Sequence, residues 1–171
     1  KEKNTLILRL ASSVSLMIIL MYISMGHVMM GAPLPERIAR NPIMIAIIEM
    51  LLAVAVMIIN QKFFVNGVKG VINRSPNMDT LVSLGSAASF IYSVCLLFPM
   101  SEAYIDGNIE FAHHHLHGLY FESAAMILTL ITVGKLLESL AKGRTTDAIS
   151  SLMELSPKTA TLIVDGEERE V

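Results

Sequence analysis

The sequence predicts an all-α polytopic membrane protein: four transmembrane helices, the second of them kinked, followed by the first strands of a β-rich cytosolic domain. Two observations lead there. Hydrophobic residues make up 53% of the 171 positions, and mean hydropathy is +0.59; soluble domains hold roughly 45–50% apolar residues even when glycine is counted. The apolar residues also come in blocks, and a helix needs about 20 residues, with a range of roughly 17–25, to cross a hydrocarbon core. Four blocks qualify: Leu6–Met30, Ile43–Ile59 (extendable to Val65), Thr80–Phe98 and Leu119–Leu140.

The first block follows Lys1-Glu2-Lys3. It is too long for the apolar core of a signal peptide and no small-residue cleavage site follows it, so an uncleaved span is expected. Pro33, Pro35 and Pro42 then stop helices before the second block. Gly67 and Gly70 fall where that block passes from apolar to mixed character, which predicts a kink there. Beyond it Val68, Val71 and Ile72 alternate with Lys69 and Arg74, the pattern of a short amphipathic helix lying in the cytosolic interface until Pro76. Such a segment is either a structural elbow or a docking platform.

The third block opens directly from the polar run Ser75-Pro-Asn-Met-Asp-Thr-Leu81, and Pro99 marks its end. After the fourth, residues 142–155 keep helical spacing through Ile149, Leu152 and Met153, and Pro157 closes that stretch. Asp165-Gly166 between two strand-like runs reads as a hairpin turn. A lone hairpin is at best marginally stable in water, so the expectation is a chain cut from a longer protein just as a β domain begins.

Lys and Arg in short loops set membrane topology. Lys1, Lys3 and Arg9 flank the first block, Lys62, Lys69 and Arg74 separate the second from the third, and Lys142 and Arg144 follow the fourth. The 99–118 loop has no Lys or Arg and carries Glu102, Asp106 and Glu110. Both termini are therefore expected in the cytosol, with loops 31–42 and 99–118 outside. A net charge of −2 without a basic run gives no sign of nucleic-acid binding. Cys95, the one cysteine, excludes an intrachain disulfide and a Cys-x-x-Cys metal site, and reads as a small buried hydrophobe.

Charges inside membrane spans are costly and mark functional sites by default. Here they accompany twelve methionines, and thioethers favour soft metal ions such as Cu(I). Met17, Met21, Met25 and Met29 recur every fourth residue, a stripe read first as packing or lipid contact, with His27 beside it. Met78 and Glu138 form the better pair. One stands where the third span leaves the cytosol and the other where the fourth returns to it, so topology gives a thioether and a carboxylate the same depth. The plainer alternatives are packing for Met78 and an (i, i+4) ion pair with Lys142 for Glu138. Glu122, two residues after Tyr120 near the outer end of the fourth span, could accept a departing cation. Glu49 is a further intramembrane charge with no assigned role: a proton site, a partner site or an interhelical hydrogen bond. His113-His-His-Leu-His117, in the external loop, reads as a weak, incidental metal-binding tract.

In chain order, Met25-Gly-His27 with Pro33-Leu-Pro35, Asn60-Gln-Lys-Phe-Phe64, Ser75-Pro-Asn-Met-Asp-Thr-Leu81, Tyr120-Phe-Glu-Ser-Ala-Ala125 and Gly134-Lys-Leu-Leu-Glu138 resemble the signatures of the copper-exporting P-type ATPases of the heavy-metal class. Leu152-Met-Glu-Leu-Ser-Pro157 and the strand after it look like the approach to that family's actuator domain. The resemblance implies two class-specific membrane helices over 1–65, an interfacial platform over 66–76, two core helices over 77–141, a cytosolic linker helix over 142–156 and the start of the actuator domain over 157–171. It implies ATP-driven export of Cu(I) across the plasma membrane, with ATP and Mg used by domains absent here and no catalytic residue in this chain. It further implies that Met78 and Glu138 belong to the copper loading site and that Glu122 is the exit-path carboxylate. The platform, with Gly67, Gly70, Lys69 and Arg74, would receive a copper chaperone or an N-terminal metal-binding domain. The family often places an adjacent Gly-Gly at the kink; here two residues separate the glycines. The competing readings are a zinc/cadmium exporter of the same superfamily and a non-enzymatic four-helix membrane subunit whose carboxylates serve assembly.

Overall fold

The computed structural model describes the backbone of residues 2–154, 161–164 and 167–170 and the side chains of residues 4–142. In chain order the elements are α1 (Glu2–Met21), continued by a π-helical segment (Tyr22–Met29), α2 (Glu36–Ala39), α3 (Pro42–Ile59), α4 (Gln61–Ile72), α5 (Met78–Ile105), α6 (Ile109–Leu116), α7 (Phe121–Glu154), β1 (Thr161–Val164) and β2 (Glu167–Glu170). They form two compact units, Lys1–Gly134 and Lys135–Val171. Four stretches are long and apolar enough to cross a membrane: Asn4–Met29, Pro42–Ile59, Met78–Ile105 and Ile109–Lys142. All four predicted spans are present.

In the first unit the helices share two apolar cores. One, at the end that carries α6, gathers Ile23, Ile45, Ala53, Met100, Leu116 and Phe121; Phe90 meets Phe121 edge-on with ring centroids 5.5 Å apart. The other, at the end that carries α4, gathers Met17, Leu20, Val56, Phe63, Val82 and Leu128. Ile18, Ile19, Leu51, Ile58, Leu81, Leu84, Ile91 and Leu130 instead point outward on the spans. Outward apolar faces of this extent suit acyl chains rather than water.

Helix starts follow their caps. The Asn41 side chain accepts from the backbone N–H groups of Ile43 and Met44, and Pro42 takes the first helical position, where its missing N–H costs nothing. Asn77 and Thr80 form a reciprocal capping box at the start of α5. These two asparagines fix where the second and third spans begin.

Two boundaries and the burial of one residue differ from the sequence reading. The break in the second span falls at Asn60, between α3 and α4, rather than at Gly67 or Gly70, which lie inside α4. Asn60 is 2% exposed. Its amide donates to Ser13 Oγ at 2.8 Å and to the Val56 carbonyl at 3.0 Å, and its Oδ1 accepts from Thr132 Oγ1 at 2.9 Å. The turn is thus a polar node joining α1, α3 and α7. Asn60→Leu removes both interhelical bonds and leaves the buried Ser13 hydroxyl without its partner. Interhelical hydrogen bonds in membranes are worth about 0.6 kcal/mol on average, so a loss of about 1–2 kcal/mol is expected, read as a lower melting temperature in detergent.

The second difference is Pro99, which lies inside α5; the helix runs on to Ile105 and α6 carries most of the histidine tract. A membrane helix tolerates an internal proline when its surroundings re-satisfy the freed backbone groups. The third is Cys95, which is exposed on α5 rather than buried.

In the second unit, β1 pairs antiparallel with β2, Leu162 opposite Arg169 and Ile163 opposite Glu168. The expected turn at Asp165-Gly166 and the helix stop at Pro157 lie outside the described residues.

Candidate functional site

At the α4–α5 junction the glycines have a packing role. A Cβ on Gly67 would sit 2.9 Å from the Asp79 carbonyl oxygen and closer still to Ser83 Oγ; one on Gly70 would sit 2.8 Å from Thr80 Oγ1. Both residues are buried. Close approach lets Thr80 Oγ1 donate to the Gly67 carbonyl at 3.1 Å and Asn66 donate to Asp79 Oδ2 at 3.0 Å. Asp79 is 7% exposed and was given no part in the sequence reading. Its neighbours on the Asn-Met-Asp-Thr run were the only available signal. Lys69 and Arg74 are exposed. Lys69 lines a polar cavity of about 290 Å³ with Asn66, Gly70, Asn73, Ser75 and Asn77. Arg74 has a φ of +53°, in the left-handed region favoured by glycine, directly after α4.

Met78 is the first residue of α5 and is 49% exposed, so its thioether is accessible rather than packed. Glu138, in the second unit, forms the predicted ion pair with Lys142 on the same helix, and both side chains are exposed. Their exposure leaves the carboxylate within reach of solvent or a ligand.

The methionine stripe does not persist as a stripe. Over Tyr22–Met29 the backbone winds wider than an α-helix: the Met30 N–H reaches the Met25 carbonyl at 3.2 Å and the Ala32 N–H reaches that of Gly26 at 2.8 Å. Met17, on α1 before this segment, is buried, while Met25 and Met29 within it are exposed. His27 Nδ1 lies 2.6 Å from the Ala32 carbonyl, and the Tyr22 hydroxyl donates to that of Pro33 at 2.9 Å. Both contacts fasten the wide turn to the loop that follows it.

Glu122 opens α7. Its start is held by Ser93, whose hydroxyl accepts from the Tyr120 N–H at 2.7 Å, and by Ser86, which donates to the Ala124 carbonyl at 3.0 Å. Small hydroxyl residues on α5 thereby bring α7 close. Glu122 Oε2 is buried without a hydrogen-bond partner. Glu49 on α3 is 1% exposed. The two carboxylates were treated separately in the sequence. Among the described residues no three His, Cys, Asp or Glu side chains gather into a cluster, and the histidine tract of α6 is no exception.

No protein-family model matches the chain. It is 45% identical over 112 residues, 66% of its length, to a copper-exporting P-type ATPase of Bacillus subtilis. It is 37% identical over 139 residues, 81% of its length, to a copper-transporting ATPase of Helicobacter felis. It is 39% identical over 170 residues, 95% of its length, to a copper-transporting P-type ATPase of Rhizobium leguminosarum. The matched segments cover 13%, 18% and 19% of those relatives, so the chain spans less than a fifth of their length.

Proposed function

We infer that this chain, a member by sequence of the copper-transporting P-type ATPases, is the loading-side membrane segment of an ATP-driven Cu(I) exporter. The observation that carries the reading is the sustained similarity to relatives of that name over 66–95% of the chain, on four apolar helices. ATP binding, Mg use and phosphoryl transfer belong to domains outside this sequence, the plasma membrane is the proposed location, and the β1–β2 hairpin is the proposed start of the actuator domain.

Met78 and Glu138 are proposed as ligands of the cytosolic loading site. Each is accessible at its own end of a membrane helix, and a thioether with a carboxylate suits transient capture of a monovalent soft cation better than a closed thiolate cage. Lys69 and Arg74 offer exposed cations beside the α4 platform, where an acidic chaperone or metal-binding domain would dock. Gly67 and Gly70 serve that platform by holding α4 against α5. Glu122 is proposed as the carboxylate on the outward path.

The test is metal activation of ATP turnover by the full-length protein. Met78→Leu and Glu138→Gln should each raise the Ag(I) concentration for half-maximal turnover about ten-fold, a loss of about 1.4 kcal/mol in loading. Expression and melting temperature should stay as in the wild type. Unchanged activation in the double variant removes both residues from the loading site.

A further inference from the structure

The docking reading uses Lys69 and Arg74 as exposed charges and leaves the cavity beside them without an occupant. That cavity, of about 290 Å³, is lined by Asn66, Lys69, Gly70, Asn73, Ser75 and Asn77: one ammonium, three amides, a hydroxyl and no carboxylate. Lys69 has no ion-pair partner among the described residues. Asn77 Oδ1 accepts the Thr80 N–H at 3.0 Å, which leaves the Asn77 amide N–H groups to donate elsewhere. Asp79, the carboxylate of this junction, does not line the cavity, and its Oδ2 accepts from Asn66. A cation among neutral donors is the lining of an oxyanion site.

The depth of the cavity indicates which oxyanion reaches it. The 18 residues of α3 make about 27 Å of helix, close to the roughly 30 Å of a hydrocarbon core, so α4 begins at the edge of that core. From there α4 packs on the first two turns of α5, Gly67 against Asp79 and Ser83 and Gly70 against Thr80. Its outer surface has two stripes. Val65, Val68 and Ile72, spaced i, i+3, i+7, are exposed and apolar. Lys62, Asn66, Lys69 and Asn73, spaced i, i+4, i+7, i+11, are exposed and polar, and the last three of them line the cavity. A helix with an apolar stripe beside a cationic one lies in the headgroup layer, where phosphates are attached to acyl chains.

We propose that this cavity binds the phosphate of an anionic phospholipid, with Lys69 as its counter-charge, Asn73, Ser75 and Asn77 as hydrogen-bonding groups, and the Val65–Val68–Ile72 stripe against the acyl chains. Neither copper nor a docked protein enters the proposal, so failure of the export reading leaves it standing.

The test titrates full-length protein in detergent with phosphatidylglycerol and counts bound lipid by native mass spectrometry, with phosphatidylcholine as the zwitterionic reference. The wild type should hold one phosphatidylglycerol more tightly than phosphatidylcholine by about five-fold, the effect of one lysine near an anionic headgroup. Lys69→Gln should lose that preference and Lys69→Arg should keep it. Lys62→Gln removes the same charge from the same face of α4 but not from the cavity, and should keep it too. Inorganic phosphate should not displace the lipid. Melting temperature without added lipid reports folding. No preference in the wild type, or an unchanged one in folded Lys69→Gln, overturns the proposal. Equal losses in Lys62→Gln and Lys69→Gln would mean diffuse attraction to the helix surface, and displacement by inorganic phosphate would mean a free oxyanion as the ligand; either result also overturns the lipid site.

Discussion

Full-length protein carrying Glu122→Ala is expected to load Ag(I) normally and to release it at least ten-fold more slowly. The proposed loading ligands are Met78 and Glu138, whereas Glu122 lies in the first turn of α7. On the proposed role, a carboxylate there accepts the cation as it leaves its soft ligands; without it, that compensating charge is lost. A ten-fold change corresponds to about 1.4 kcal/mol, modest beside the cost of an uncompensated ion in a low-dielectric setting. The measurement is radioactive silver retained by the protein after a single turnover, with the amount bound before ATP as the control. A variant that fails in loading and releases normally contradicts the assignment.

Gly67→Leu should be the most damaging single change in the first unit. The added Cβ alone would lie 2.9 Å from the Asp79 carbonyl oxygen, a backbone atom that cannot rotate away. Accommodating the side chain means separating α4 from α5, which breaks the Thr80–Gly67 and Asn66–Asp79 hydrogen bonds. Overpacking typically costs about 1–3 kcal/mol, and the two broken bonds add to it. A large drop in melting temperature, or loss of folded protein from the membrane, is expected. Gly134→Ala is the contrast: nothing lies within 4 Å of a Cβ there, and alanine favours helix over glycine by about 1 kcal/mol, so that variant should melt no lower than the wild type. Equal tolerance of both substitutions would mean that α4 and α5 are not packed as described.

Much of this architecture was legible before any coordinates. Block length gave the four spans, because the hydrocarbon thickness imposes a minimum that few soluble helices meet. The capping box of Asn77 with Thr80 is local in sequence too, yet the run was read there only as a polar break opening into an apolar block. What escaped was tertiary. Asn60 looks like an ordinary polar residue at the end of an apolar run, and only Ser13 and Thr132, far away in the chain, make it the point where the second span breaks. Gly67 and Gly70 suggested a kink, whereas their use is steric, allowing one helix to lie on another. The four-residue repeat of Met17, Met21, Met25 and Met29 assumed a regular α-helix, and the π-helical winding after Met21 redistributes it.

The candidate site divides in the same way. Glu122 and Glu49 were each visible as charges in apolar surroundings. Met78 was recognisable by its place at the head of the third span, and its exposure agrees with a ligand role without requiring one. Glu138 kept both its plain and its functional reading: the pair with Lys142 exists, and the carboxylate remains open at the surface.

The most direct test of the central claim, that this segment loads a soft monovalent cation for ATP-driven export, is metal selectivity of ATP turnover in proteoliposomes of the full-length protein. Ag(I) and Cu(I) should each stimulate hydrolysis at least ten-fold over the metal-free rate while Zn(II) leaves it near that rate. Stimulation by Zn(II) with no response to Ag(I) or Cu(I) would contradict the account.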